Sequence, residues 1–319
     1  MVMRRLEVIS KFLLALAASV FLFMSAIGVP PLGVILMPFV VQPVLMFGFK
    51  FGIAGGMALL GFATVALIIF AGEELALIYG IFAVMAAMLL SLLGRIRVID
   101  YLVAGVAAVM LALTAGVSWF FFGSWTAMFS DFRLGMAQQM DAAVRMQEKM
   151  GFPQDGIALL KERAPQIIDL VLQILPALLL LSFAFIALVN ILYLGRRFPE
   201  QRAGWFALAH LREWKAPEPL VWGFIACGFI FFIPALSAAR VVAANLLLVI
   251  GAYYFAQGLA VIGFFFHKNK VPRFLRGLTY VLIVFQQIFT LLVVGLGLFD
   301  LWGNFRRLGK DNLTPNEAA

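Results

Sequence analysis

The sequence predicts an all-α fold, a polytopic helical membrane bundle with eight or nine transmembrane helices. Three observations predict it. Of 319 residues, 64% are hydrophobic and only 13% charged, against about 45–50% and about 25% in soluble globular domains. The apolar residues fall into runs of about 20, the length that crosses roughly 30 Å of hydrocarbon as a helix. The Lys and Arg residues gather between those runs, where they set topology. A soluble fold lacks the polar surface this composition denies it. The single cysteine, Cys227, lies inside an apolar run, which excludes an intramolecular disulfide. The net charge of +8 belongs to topology determinants rather than to a DNA-binding face, so no nucleic-acid partner is expected.

In chain order the runs lie near 12–28, 31–49, 52–72, 75–94, 98–123, 166–194, 220–237, 241–266 and 274–299. Continuous stretches such as LPALLLLSFAFIALVNILYL (175–194) exclude barrel strands, which alternate in polarity. The first run follows Arg4 and Arg5, as a signal peptide would, but Gly28-Val29-Pro30-Pro31 offers no small-residue cleavage site, and the run is read as a span. The second carries Pro31, Pro38, Gln42 and Pro43, which predicts a broken, kinked or re-entrant element. Arg4, Arg5, Lys11, Lys50, Arg95, Arg97, Arg196 and Arg197 then share one side, which puts the N-terminus in the cytoplasm. Nine spans leave Arg306-Arg307 outside and eight return them inside, and both counts stay open. The six tryptophans flank the runs as an aromatic belt: Trp119, Trp125, Trp205, Trp214, Trp222 and Trp302.

The organisation that follows is N-terminal spans over 1–123, an extramembrane amphipathic helical hairpin over 124–165, and C-terminal spans over 166–319 with a cytoplasmic loop at 195–219. In the hairpin, Met136, Met140, Ala143, Val144 and Met150 recur at helical spacing. Gly151-Phe152-Pro153 ends that helix, and a second is expected from near Asp155 towards Pro165. The basic loop, with Phe206, Leu208, Ala209 and Leu211 beside Trp205 and Trp214, predicts a short helix in the lipid interface.

Catalytic patterns are missing: no phosphate-cradling loop, no H-E-x-x-H, no C-x-x-C, no G-x-S-x-G. His210 and His267 have no thiol or carboxylate cluster around them, so no metal site is expected. The chain is read as a non-enzyme with no cofactor. What remains is a set of polar residues in or beside spans, each costly to bury unless it faces the bundle interior. Gln42, Glu73, Glu74, Asn190, Asn245, Tyr253 and Gln257 form the candidate ligand-binding set. Gln42 lies where a broken helix frees backbone groups, Glu73 and Glu74 form an acidic turn on the outer side, and Asn245, Tyr253 and Gln257 share one helix face. Amides with almost no buried charge suit a neutral or weakly polar solute. Interhelical hydrogen bonding is the competing explanation for each amide.

Four stretches resemble the YybS-like family of bacterial polytopic membrane proteins, a domain of unknown function. They are GVPPLGVILMPFVVQPV (28–44), LREWKAPEPLVW (211–222), NLLLVIGAYYFAQGLAVIGFFF (245–266) and GLGLFDLWGNFRRL (295–308). The resemblance implies a bacterial cytoplasmic (inner) membrane location and a fold relation to the S-components of energy-coupling-factor transporters, whose six-helix body the first six spans resemble. It also implies separate ATPase and coupling subunits as partners, with ALAAS (15–19) similar to an alanine-rich docking face. The spans after residue 219 are an addition to that body. Two functional readings follow. One is a membrane protein that binds or helps transport a small, weakly polar metabolite. The alternative is a non-transporting scaffold or regulator that docks protein partners through the outer hairpin and the cytoplasmic loop.

Overall fold

The computed structural model describes residues 2–93, 95, 96, 98–198, 211–233 and 236–306. Trp205, Phe206, Leu208, Ala209 and His210 of the basic loop, with Arg97 and Arg307, lie outside the described residues. Every regular element among those described is a helix. The chain forms two compact units, Met1–Phe206 and Ala207–Ala319, each taken by itself below.

The first unit opens with α1 (Val2–Gly28). The next apolar run is broken, as its prolines demand, into α2 (Pro30–Leu36), a 3-10 turn at Met37–Phe39, and α3 (Gln42–Phe51). Proline removes one helical donor and clashes with the carbonyl four residues back. Pro38 and Pro43 therefore act on the same few residues. α4 (Ile53–Ala71) and α5 (Glu73–Leu92) follow. Gly52 and Gly72 make the joints at φ of +104° and +94°, a conformation that favours glycine. α6 (Ile99–Phe122) leads through Gly123 into α7 (Trp125–Lys149), whose N-terminus is capped by the Ser124 hydroxyl accepting from the Ala127 N–H at 3.1 Å. The core is built from Phe23, Val44, Leu45, Leu59, Leu67, Tyr79, Met85, Leu89, Met110 and Leu194.

Gly151, at φ +77°, turns the chain into α8 (Gln154–Arg197). Here the structure corrects an expectation. The hairpin's second helix does not stop near Pro165 but runs straight into the sixth span as one helix of 44 residues, with Pro165 and Pro176 inside it. Of the predicted apolar stripe on α7, Val144 is buried and Met136 and Met140 half-buried, whereas Ala143 and Met150 point outwards. The hairpin's outer surface carries two exposed ion pairs, Arg133–Asp169 at 2.6 Å and Lys161–Glu148 at 2.9 Å.

The second unit holds α9 (Leu220–Phe232), α10 (Ser237–Lys268), α11 (Arg273–Phe285) and α12 (Gln287–Gly303). The run at 274–299 is not straight: Gln286 leaves helical geometry, and α11 and α12 bend by 105° there. α9 has only 13 residues, about 20 Å at 1.5 Å per residue, short of the hydrocarbon thickness. Among the described residues, seven helices are long and apolar enough to cross a membrane, or up to eight with the bent pair counted as one span. α10 and α12 touch backbone to backbone: a Cβ on Gly297 would sit 1.9 Å from the Tyr254 carbonyl oxygen, and one on Gly258 2.0 Å from that of Val293.

Candidate functional site

The broken second span frees backbone carbonyls inside an apolar bundle, where each must find a donor. Asn190 of α8 reaches it, donating from Nδ2 to the Pro38 carbonyl at 2.7 Å and to the Ile186 carbonyl of its own helix at 2.8 Å. Ser19 of α1 donates to the Val40 carbonyl at 3.1 Å. The Ser19 hydroxyl has one proton, so its 2.9 Å contact with Tyr79 must use the Tyr79 O–H as donor. Ser19, Tyr79 and Asn190 are all buried. Two helices thus hold the 3-10 segment 37–41 with neutral groups, and Tyr79 of a third backs the Ser19 hydroxyl. One acceptor is left over: Asn190 Oδ1, buried with no partner among the described residues.

Gln42, the first residue of α3, stands half-buried at the same break, so the structure brings Gln42 and Asn190 to one segment. Glu73 and Glu74 are exposed in the first turn of α5, where carboxylates complement the helix dipole. The α5 residue that enters the polar centre is Tyr79. Within ALAAS, Ser19 is turned inward, into this centre.

Asn245, Tyr253 and Gln257 belong to the second unit. Asn245 is half-buried and donates to the Val241 carbonyl of its own helix at 2.8 Å. Tyr253 stacks on Trp214, ring centroids 6.2 Å apart. Gln257, fully buried, accepts from the Ala216 N–H at 3.0 Å and donates to Asp300 at 3.1 Å. Asp300 also accepts from the Phe305 N–H at 3.0 Å and from Arg306 at 2.7 Å. Arg306 then donates to the Arg212 carbonyl at 2.6 Å and the Trp214 carbonyl at 3.0 Å. Both charged side chains are fully buried. Sequence reasoning missed this pair. The available signal was an Asp at the end of an apolar run with an Arg six residues on. The knot ties together 211–222, 245–266 and 295–308, three of the stretches that carry the family resemblance.

A third feature lies on α7, where Trp125, Thr126, Phe129, Ser130, Arg133, Leu134 and Ala137 line an open groove of about 720 Å3. Among the described residues no group of three or more His, Cys, Asp or Glu side chains could hold a metal ion.

A family model described as "Predicted membrane protein (DUF2232)" matches residues 17–301. The chain belongs to this family. The DUF2232 match starts inside α1, before Ser19, and ends one residue past Asp300. It therefore takes in the whole polar centre of the first unit, and all the side chains of the second-unit knot except Arg306. Neither the curated proteins nor the solved structures yield a match. As a DUF2232 protein with at least seven apolar helices of spanning length, the molecule is a polytopic membrane protein.

Proposed function

We propose that this DUF2232 protein, read as YybS-like, binds a small, weakly polar solute inside its first unit, in the manner of a transporter S-component. Asn190 Oδ1 carries this reading: it is a buried acceptor without a donor, set beside a span whose α-helix is interrupted by a 3-10 turn. Backbone that departs from the α-helix at membrane depth belongs where it is enclosed by protein or lines a cavity, and interrupted helices mark solute sites in several transporter folds. A solute hydroxyl or amide N–H would satisfy Asn190 Oδ1, and Gln42 supplies a second amide at the same break. Glu73 and Glu74, at the end of α5, mark the entrance on the outer side. Tyr253 and Gln257 are engaged within the second unit and take no part. Lys11, Lys50 and Arg197 gather at one end of the first unit, which supports a cytoplasmic N-terminus in a bacterial inner membrane. The protein performs no chemistry of its own in this reading. Transport would draw energy from separate ATPase and coupling subunits.

Native mass spectrometry of the protein gently extracted from its own membranes tests this. A stoichiometric small-molecule adduct is expected, and Asn190→Leu or Gln42→Leu should each weaken it by about tenfold, the worth of one to two buried hydrogen bonds. An adduct that survives both substitutions, or none at all, defeats the assignment. The α7 groove, with Trp125 and Phe129 about 40% exposed, favours the scaffold reading in second place. It predicts a protein partner lost on Phe129→Ala with no small molecule bound.

A further inference from the structure

Three cations from three helices converge at one end of the first unit. Lys11 lies in the N-terminal half of α1, Lys50 in the last turn of α3 and Arg197 in the last turn of α8. Phe12 of α1 meets Phe47 of α3 edge-on at 5.5 Å, and Phe49 of α3 stacks on Phe198, the residue after α8, so the ends that carry Lys11, Lys50 and Arg197 pack together. Against them stands Glu7, 2.5 Å from Lys11 Nζ. Glu7 offsets part of this positive charge, and the cations repel one another unless an anion sits among them. A cation at a helix C-terminus complements the dipole, which accounts for Lys50 and Arg197 singly but not for the gathering of cations from three helices.

The surroundings are apolar. Lys50 lies over the Phe51 ring, 5.4 Å from its centroid, and Phe49 stacks on Phe198 at 6.0 Å. Along α1, Ile9, Leu13 and Leu14 are exposed, as residues facing lipid chains are. A ligand that satisfies both halves carries an anionic head and hydrocarbon tails. We propose that Lys11, Lys50 and Arg197 form a seat for the phosphodiester of an anionic phospholipid at the ends of α1, α3 and α8. The seat is independent of the solute site at Asn190, which lies on the broken span.

The test uses the full chain in nanodiscs of phosphatidylcholine with phosphatidylglycerol, with retained lipid counted by native mass spectrometry. Retained phosphatidylglycerol should fall about fivefold for each of Lys11→Gln, Lys50→Gln and Arg197→Gln, and recover in Lys50→Arg. It should be unchanged in Lys268→Gln, an exposed cation of the second unit, and unchanged by millimolar inorganic phosphate. Retention in the three variants overturns the proposal. An equal loss in Lys268→Gln shows diffuse surface charge instead, and displacement by free phosphate shows a site for a soluble anion; either result also overturns it.

Discussion

Removing one member of the Asp300–Arg306 pair should destabilise the second unit far more than removing both. Each side chain is fully buried, and they meet at 2.7 Å. Asp300→Leu leaves a guanidinium group without counter-charge, and such a loss costs about 3–5 kcal/mol. It also strands the Phe305 N–H and the Gln257 amide, which now donate to that carboxylate. Arg306→Met leaves a bare carboxylate and frees the carbonyls of Arg212 and Trp214, again about 3–5 kcal/mol. Independent effects would sum to about 6–10 kcal/mol, a large part of the total stability of most domains. The double variant holds no buried charge. Its remaining cost is the few neutral groups left without partners, about 1–3 kcal/mol for the worst of them. The double variant should therefore be more stable than either single one, with a coupling of about 3 kcal/mol or more. Thermal or denaturant unfolding in mild detergent measures the cycle, and Trp214, stacked on Tyr253 beside the knot, reports locally by fluorescence. A double variant whose loss equals the sum of the two singles would refute the buried, coupled pair.

Four further outcomes are expected from the same unfolding assay. Gly297→Ala drives a methyl into rigid backbone at 1.9 Å and should cost about 1–3 kcal/mol or more. Gly61→Ala on α4, which meets nothing within 4 Å, should be neutral or stabilise by up to about 1 kcal/mol; equal effects at the two glycines would undo the close-contact reading of α10 and α12. Ser19→Ala strands the Val40 carbonyl and the Tyr79 hydroxyl and should cost about 1–3 kcal/mol, whereas a loss below about 0.3 kcal/mol would mean the clamp is not formed. Arg133→Gln breaks an ion pair whose partners are 59% and 42% exposed, so a change under about 1 kcal/mol is expected and a larger one would show a role beyond the hairpin surface.

Helical class and most span positions were legible in the sequence because the membrane imposes length and apolarity on each run separately. The break in the second span was legible for a local reason: Pro38 and Pro43 act on their own backbone. What the freed carbonyls would meet was not, because Asn190 lies 152 residues from Pro38 and Ser19 lies 21 residues from Val40. The amide at 190 is a candidate from its polarity alone, while Ser19 is one small residue within ALAAS. The bend at Gln286 escaped because no proline or glycine marks it. The continuity of α8 escaped for the opposite reason, since Pro165 is a strong helix-breaking signal that neighbouring packing overrode. Asp300 stands at the end of an apolar run. Its burial depends on Arg306 folding back past the left-handed turn at Asn304, and spacing alone does not reveal that fold-back.

The two polar centres differ in a way that bears on which can exchange a ligand. In the second unit, a carboxylate and a guanidinium group close on each other and on four further partners. Opening that knot exposes an unpaired charge to an apolar interior, at about 3–5 kcal/mol, so a solute that competed for Gln257 would have to overcome most of it. In the first unit the contacts are neutral, worth about 0.5–1.5 kcal/mol each. Asn190 already offers an oxygen that no described residue uses. A weakly polar solute can trade a neutral hydrogen bond for another at little net cost, and it gains the one the fold leaves unmade. The neutral centre at the 3-10 turn is thus where the proposed solute would exchange at least cost, whereas the charged centre, although Arg306 Nε also stays without a partner, locks its segments together through the buried ion pair.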